Sequence, residues 1–323
     1  MIKKIFKNMD WGILFCIGIL LAIGLVSLFS ATQGTNFDEF KKQIMWLLIS
    51  LPIMIIVIFV DYNTISKISP ILYVFMLITL VAVLFTEPIN GATSWFNIGS
   101  ISIQPSEFAK IIVILVLATY ISRIQSREKN AISKPLKLLM ALIIVGIPTL
   151  LIIKQPDYGT ALMLFTSGIK KRYIITGILL VVIMLPVLYF FVLPEHAKTR
   201  IDVFLNPNLD PRGAGYNVIQ SKLAIGAGEF LGMGLLKGNQ TQLGFLYPKT
   251  TDFIFAVIGE EMGFIVAATV IITYIILITR AVYVAKTAKD NLGSYIAIGI
   301  AGIFLFHMTE NIGMTMGLLP ITG

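Results

Sequence analysis

Carboxylates stand at the start of three apolar runs in this sequence. They are Glu107, which lies three residues before Lys110, Asp157 in the segment 154–160, and Asp252 directly before Phe253. A charged side chain in a membrane segment costs about 2.5–3.5 kcal/mol or more, so it is retained where it faces a polar cavity or a partner. Such groups can hold a charged substrate or take a proton as a general base.

The first two positions also have purely structural interpretations. Glu107 and Lys110 lie one helical turn apart and can neutralise each other as the helix enters the membrane. Asp157 can cap the following helix from a turn built by its proline and glycine neighbours. The sequence leaves these interpretations open beside a cavity-lining role.

Asp252 carries a stronger functional signal than its residue type alone would give. An acid before a helix is most simply an N-cap, or a first-turn acid stabilised by the helix dipole. Asp252, however, lies between a long aromatic-bearing loop and two further acids, Glu260 and Glu261, inside the next apolar run. This arrangement favours a working site at Asp252.

Other catalytic chemistries have little support in the sequence. His196 lies in a predicted loop and His307 in an apolar run, both without ligand neighbours at metal-binding spacing, so we interpret both as structural. The single cysteine, Cys16, cannot form an internal disulfide. Phosphate-binding P-loops, serine-hydrolase elbows and zinc-protease motifs are absent from the sequence.

The composition excludes an ordinary soluble domain. Of the 323 residues, 57% are hydrophobic and 13% are charged, and each bilayer crossing needs about 20 apolar residues. We therefore predict an all-α, polytopic integral membrane bundle that forms one domain over 1–323. Its predicted spans lie near 11–30, 44–60, 71–86, 108–121, 138–153, 173–193, 253–278 and 294–319.

The distribution of lysine and arginine orients these spans. Lysines in 1–8 place the N-terminus in the cytoplasm, and the basic residues of 122–137 mark a cytoplasmic loop. The net charge of +8 therefore reflects topology, and we predict no nucleic acid partner. The basic cluster 170–172 should also be cytoplasmic, but the run 159–169 covers only about 17 Å of a roughly 30 Å core. Either a short half-helix lies there or one span is shortened or missing, and the charge pattern favours the second.

With that crossing, the long segment 194–251 is extracytoplasmic. Loops beyond about 15 residues tend to be functional or disordered, and the aromatic residues of this loop argue against disorder. Within it, the stretch 221–236 is apolar and rich in glycine. That pattern predicts a helix pair at the membrane surface with close backbone approach.

A series of strings resembles motifs of the SEDS family, named for shape, elongation, division and sporulation. They lie, in order, at 91–95 with 104–107, 155–160, 210–216, 251–256 with 260–263, and 311–323. The Asp252 region and the terminal string are more similar to the RodA-like elongation branch than to the division branch. In two respects the sequence departs from the family. Ser94 stands where the family usually has an arginine, and the last helix usual beyond the terminal string is absent.

The resemblance implies a bacterial membrane protein of about ten helices that polymerises peptidoglycan from lipid II at the outer face of the cytoplasmic membrane. It also implies a class B penicillin-binding protein, a transpeptidase, as partner beside the membrane lipids. The catalytic aspartate of the family corresponds to Asp252. Its cavity-lining polar residues correspond to Glu107, Lys110 and Asp157.

Polymerisation requires a hydroxyl of one lipid-linked sugar to attack the anomeric carbon of another while a lipid diphosphate departs. Asp252 is the candidate base, and basic residues of the outer loop, among them Arg212 and Lys249, are candidates to hold the diphosphate. A divalent cation, Mg²⁺ or Mn²⁺, is an alternative holder, and the sequence assigns it no ligands. Two other functions stay open: a lipid flippase, in which Glu260, Glu261 and Glu310 would matter most, and a scaffold for the transpeptidase.

Overall fold

The computed structural model describes residues 9–87, 93–98, 101–127, 134–155, 160, 202–206, 209–210, 213 and 215–320. The regular elements of these residues are, in chain order, helices α1 (Trp11–Ala31), α2 (Asp38–Phe59) and α3 (Tyr62–Ala82), strands β1 (Phe96–Ile98) and β2 (Ile101–Ile103), and helices α4 (Pro105–Arg127), α5 (Pro135–Ile153), α6 (Tyr216–Ala227), α7 (Asn239–Gln242), α8 (Ile254–Thr287) and α9 (Asn291–Thr315). A 3₁₀ turn, Val83–Phe85, extends α3.

Long apolar helices dominate the described part of the chain. Within it, α1, α2, α3 with its 3₁₀ turn, α5, α8 and α9 are long and apolar enough to cross a membrane. Helix α4, of 23 residues, occupies the fourth predicted span and is about 34 Å long. The two strands pair as a short antiparallel hairpin ahead of α4. The prediction of an all-α, polytopic membrane protein is therefore confirmed.

A capping side chain and a turn at a glycine set two helix ends that the apolar runs did not predict. Helix α3 begins at Tyr62, earlier than the predicted 71, because the Asp61 carboxylate accepts a hydrogen bond from the backbone N–H of Asn63 at 3.0 Å. Helix α9 ends at Thr315, before the predicted 319, because the chain turns at Gly317, where φ is +69°. Apart from Thr160, the short run 159–169 and the span near 173–193 lie outside the described residues.

The chain divides into two compact units, and three of the helices contribute residues to both. The first unit comprises Met1–Ile55, Val187–Arg280 and His307–Ile321, and the second comprises Ile56–Pro186, Ala281–Phe306 and Thr322–Gly323. The core of the second unit lies among α3, α4 and α5, where Leu80, Ala109 and Ile152 are fully buried.

The predicted helix pair over 221–236 is wrong in its second half. Helix α6 ends at Ala227, and the following residues, Gly228 to Gly238, form an irregular turn that we call the glycine turn. Four of its residues, Glu229, Gly232, Gly234 and Leu236, have positive φ values, which a helix excludes. The predicted close backbone approach does occur, but between this turn and α8.

Candidate active site

Asp252 lies in the turn that leads into α8, and its backbone is held from two sides. Its carbonyl oxygen accepts hydrogen bonds from Asn311 Nδ2 and Thr315 Oγ1, both at 3.3 Å, at the end of α9. On the other side, the next residue, Phe253, is buried in a core that includes Leu246. The part-buried Asp252 side chain is thus attached to a fixed piece of backbone.

Helix α6 holds the end of α9 that contacts the Asp252 backbone. Ser221 Oγ on α6 is fully buried and donates to the carbonyl oxygen of Thr315 at 2.6 Å. Asn311 and Thr315 are four residues apart on α9, so both face the same side of that helix. The sequence shows these two polar residues in an apolar run, and this is a signal that our sequence reasoning left without a role.

Lys249 is part-buried three residues before Asp252. Its Nζ donates a hydrogen bond to the carbonyl oxygen of Thr241, on α7, at 2.7 Å. Burial lowers the pKa of Lys249 below its ordinary value, and the nearby Glu261 carboxylate opposes this shift. Asp252 and Lys249, two of the predicted site residues, both lie in the described part of the first unit, three residues apart in the chain.

Glu260 and Glu261 are buried on α8, and their carboxylates anchor the chain around α7. Glu260 accepts hydrogen bonds from the backbone N–H of Gln240 at 2.7 Å and from the N–H and Oγ1 of Thr241 at 3.0 and 2.6 Å. Glu261 accepts from Ser30 Oγ, at the end of α1, and from Gln242 Nε2 at 2.7 Å.

These bonds give the two glutamates a structural task. The hydrogen bonds that a buried carboxylate accepts offset most of the free-energy cost of removing it from water. The Glu260 contacts also reach the site, because Thr241 bonds both to Glu260 and to Lys249. The transporter argument based on the intramembrane position of these two acids is weakened accordingly.

Helix α8 is broken at Gly263, and the glycine turn fills the break. Gly263 has φ +76° and ψ −178°, so the helical hydrogen bonds are interrupted there. The backbone N–H groups of Met233 and Gly234 donate to the carbonyls of Glu260 and Glu261 at 2.9 and 3.0 Å. In return, Phe264 N–H donates to the carbonyl of Glu229 at 2.9 Å. The exchange satisfies backbone groups that the break would leave without partners.

In the second unit, Glu107 and Lys110 form the ion pair that their spacing predicts. Lys110 Nζ lies 2.7 Å from each Glu107 carboxylate oxygen. The lysine side chain is only 3% exposed, whereas the Glu107 side chain is 52% exposed. The buried member of the pair is therefore the lysine, and the glutamate presents its carboxylate to the surface.

Two further motif residues lie in the second unit. Buried Ser94 donates through Oγ to the backbone carbonyl of Gln155 at 3.0 Å, and Gln155 Nε2 donates to the carbonyl of Leu80 at 3.1 Å. This pair fixes the end of α5 against α3. Ser94 thus has a structural partner at the position where an arginine was expected.

The other predicted site residues lie outside the described part of the chain, namely Asp157 and Arg212. Among the described residues, no group of three His, Cys, Asp or Glu residues could hold a metal ion. The structure therefore assigns no cation ligands around Asp252 within those residues.

The fold and the site define a class of protein: a polytopic helical membrane protein with a carboxylate, Asp252, whose backbone is held in place just before a broken helix. The chain matches the family model of FtsW, RodA and SpoVE, described as cell cycle protein, over residues 9–323. It therefore belongs to this family.

Relatives with different names share about a third of their residues with this chain. The chain is 36% identical to "Peptidoglycan glycosyltransferase MrdB" of Escherichia coli (strain K12), over 98% of this chain and 86% of the relative. It is 30% identical to "Peptidoglycan glycosyltransferase RodA" of Treponema pallidum (strain Nichols), over 98% and 92%. It is also 36% identical to "Stage V sporulation protein E" of Bacillus subtilis (strain 168), over 94% and 87%.

Solved structures share the fold. A chain from the study "Structural coordination of polymerization and crosslinking by a peptidoglycan synthase complex" has a TM-score of 0.81 and 24% identity, over 98% of this chain and 90% of that one. The rod shape determining protein RodA of Thermus thermophilus has a TM-score of 0.66 and 23% identity, over 98% and 88%. Both likenesses establish the architecture.

Proposed function

We propose that this protein is a peptidoglycan glycosyltransferase that polymerises lipid II into glycan strands at the outer face of the bacterial cytoplasmic membrane. Family membership and the names of the relatives support this reaction class. The observation that carries the proposal is the position of Asp252, fixed at the ends of α8 and α9.

Helix α1 provides a ruler for the membrane. Its 21 residues are about 31 Å long, close to the roughly 30 Å of a hydrocarbon core. At one end Asp10 forms an ion pair with Arg280 at 3.6 Å, and at the other Ser30 bonds to Glu261. Arg280 and Glu261 both belong to α8, and we take the two contacts as the edges of the hydrocarbon core on that helix.

On this measure, Asp252 is proposed to lie at the level of the lipid headgroups. Asp252 precedes Glu261 by nine residues, which corresponds to roughly 10–13 Å beyond the hydrocarbon edge. A carboxylate at that level meets the sugars and the diphosphate of a lipid-linked substrate while the hydrocarbon tail stays in the bilayer. The loop topology predicted from the lysine and arginine pattern puts this edge outside the cell.

In the proposed reaction, Asp252 acts as the general base. It takes the proton from the acceptor hydroxyl as that oxygen forms a bond to the anomeric carbon of the donor. The bond from that carbon to the diphosphate breaks, and the lipid diphosphate leaves with the electron pair. General bases typically contribute about 10²–10⁴-fold to the rate.

Lys249 is proposed to stabilise the leaving diphosphate. Lys249 lies three residues before Asp252 in the chain, and one N–H of its ammonium is engaged by the Thr241 carbonyl. An ammonium has three N–H donors, so a phosphate oxygen can accept a hydrogen bond from another of them. Glu107, Lys110 and Asp157 are proposed substrate-cavity residues, as the family resemblance implies. Arg212, a basic residue of the outer loop, is a further candidate to hold the diphosphate. A class B penicillin-binding protein is the proposed partner.

The test is polymerisation of purified lipid II by the full chain with its partner in vesicles. Asp252→Asn should lower the rate of glycan formation by about 10²–10⁴-fold at equal folding. The matched control is Glu229→Gln, because Glu229 is an exposed carboxylate in the same outer segment. Glycan chains formed by Asp252→Asn at the wild-type rate would remove Asp252 from the mechanism.

A companion assay separates this proposal from a flippase. Wild-type protein in liposomes is supplied with fluorescent lipid II on one leaflet, and both polymer and translocation are measured. A polymerase forms glycan from lipid on its active face. Translocation without polymer, unchanged by Asp252→Asn, would favour the flippase instead.

A further inference from the structure

The glycine turn exposes a cluster of large apolar side chains. Phe230 is 71% exposed and Leu231 79% exposed, and Leu235 and Leu236 are also exposed. Phe230 packs edge-on against Phe264 of α8, with ring centroids 6.0 Å apart, and Phe264 is itself largely exposed. We call these five residues the Phe230 cluster. Large exposed apolar side chains grouped on a loop and the adjoining helix indicate a contact with a membrane or a partner.

The membrane ruler places this cluster at the edge of the hydrocarbon core. The turn bonds to the carbonyls of Glu260 and Glu261, and Glu261 lies level with Ser30 at the end of α1. Phe264 follows Glu261 toward the membrane centre. The cluster therefore lies where acyl chains meet headgroups.

The backbone of the turn is partly satisfied by hydrogen bonds within the turn and to α8. Gly232 N–H donates to the carbonyl of Gly228 at 2.7 Å, and the Phe230 carbonyl accepts from Ile265 N–H at 3.3 Å. Together with the bonds of Met233 and Gly234 to α8, these bonds satisfy part of the backbone of the turn. The remaining polar groups need water or lipid headgroups, so the turn suits the membrane edge rather than the hydrocarbon interior.

The charges around the cluster fit a lipid surface. The seven residues from Phe230 to Leu236 carry no charge, and they are flanked by Glu229 and Lys237, both exposed. A lysine at this position can extend its ammonium to an anionic headgroup while its stem follows the apolar surface. A loop that contacts only water usually carries polar side chains along its length, so this uncharged stretch favours a lipid surrounding.

We propose that the Phe230 cluster inserts into the lipid at the membrane edge and binds the upper acyl chains of the bilayer. The insertion anchors the segment that leads to Lys249 and Asp252 at a constant depth. This inference uses only the position and chemistry of the turn, so it stands independently of the catalytic proposal.

Depth-dependent quenching tests the proposal on the full chain without substrate or partner. Phe230→Cys and, separately, Leu231→Cys are labelled with a small fluorophore and reconstituted in vesicles of phosphatidylethanolamine and phosphatidylglycerol. The native cysteine, Cys16, is buried, so labelling is directed to the introduced thiol. Quenchers are lipids with a nitroxide near the top or the end of the acyl chain, and aqueous iodide.

Two control positions calibrate the depth scale. Gln33→Cys lies just beyond the end of α1 and is exposed, so iodide should quench its label. Ile272→Cys is an exposed position nine residues past the break in α8, so the deep nitroxide should quench its label most. Both labels on the turn should lose most fluorescence to the shallow nitroxide and little to iodide.

Either of two results would overturn the proposal. Iodide quenching of both turn labels, as strong as that of the Gln33→Cys label, would place the turn in water. Protection of both labels from every quencher would show that protein, rather than lipid, covers the cluster. Size-exclusion profiles that match the wild type establish that the labelled variants are folded.

Discussion

Replacing Gly232 by alanine should strongly destabilise the protein, because the glycine turn docks on α8 backbone to backbone. Gly232 has φ +82°, and a Cβ there would overlap the carbonyl group of Glu261. The left-handed conformation costs a residue with a side chain about 1–2 kcal/mol. Moving the turn away also loses the bonds of Met233 and Gly234 to α8, at about 1 kcal/mol each, and buries unpaired carbonyls. We expect a total loss of about 3–5 kcal/mol.

Two neighbouring glycines provide matched controls. Gly234 also has a positive φ, +96°, but a Cβ there would meet only the Lys237 side chain at 3.4 Å. Gly234→Ala should therefore cost only the conformational strain, about 1–2 kcal/mol. Gly226 lies within α6, and apart from its chain neighbours and the backbone of that helix no atom lies within 4 Å of its Cβ position. Gly226→Ala should stabilise the helix by up to about 1 kcal/mol.

The measurement is thermal unfolding of purified protein in detergent, followed by a dye that fluoresces on reacting with thiols. Cys16 is the single cysteine of the chain and is buried in α1, so its reactivity reports unfolding. Gly232→Ala should lower the unfolding temperature by on the order of 5–10 °C. An unfolding temperature for Gly232→Ala equal to that of Gly226→Ala would refute the proposed docking.

Two other charged sites give testable outcomes. Glu107→Gln should lower the free energy of unfolding by about 1–3 kcal/mol, because the buried Lys110 ammonium loses a charge-assisted hydrogen bond of 2.7 Å. An unfolding temperature equal to that of the wild type would contradict this. Burial lowers the pKa of Lys249 in the folded protein below its ordinary value of 10.5. Between the lowered pKa and 10.5, the folded protein therefore binds fewer protons than the unfolded chain. The free energy of unfolding should rise with pH across that window. Lys249→Met should remove the rise in unfolding temperature, and an unchanged pH profile for this variant would show that Lys249 is not the source.

Local sequence signals predicted the features that depend on neighbours in the chain. The spans follow from apolar runs, and the Glu107–Lys110 pair follows from a spacing of three residues on a helix. The helix starts were less well predicted, since the polar first turns of α3 lie outside the apolar run and its start depends on the Asp61 cap. Reading the cap signal would have placed that start correctly.

The surroundings of Asp252 and of the buried glutamates could not be predicted in this way. Ser30 and Glu261 are 231 residues apart in sequence, and Thr315 and Asp252 are 63 apart. No periodicity relates such pairs, so their contact becomes visible only in the folded chain. For the same reason, the glycines of 221–236 predicted a close approach but not its partner, which is the break at Gly263.

The sequence by itself determined that this is a polytopic helical membrane protein of a recognisable family, because bilayer hydrocarbon dictates the length and polarity of every span. It also made Asp252 the candidate base, because this carboxylate lies between an aromatic-bearing loop and two further acids and corresponds to the catalytic aspartate of the family. Only the tertiary structure decided that Glu260 and Glu261 support the fold, and that a glycine turn closes a broken helix beside them. Those roles depend on hydrogen bonds between distant segments, and the geometry of such bonds exists only once the helices have packed.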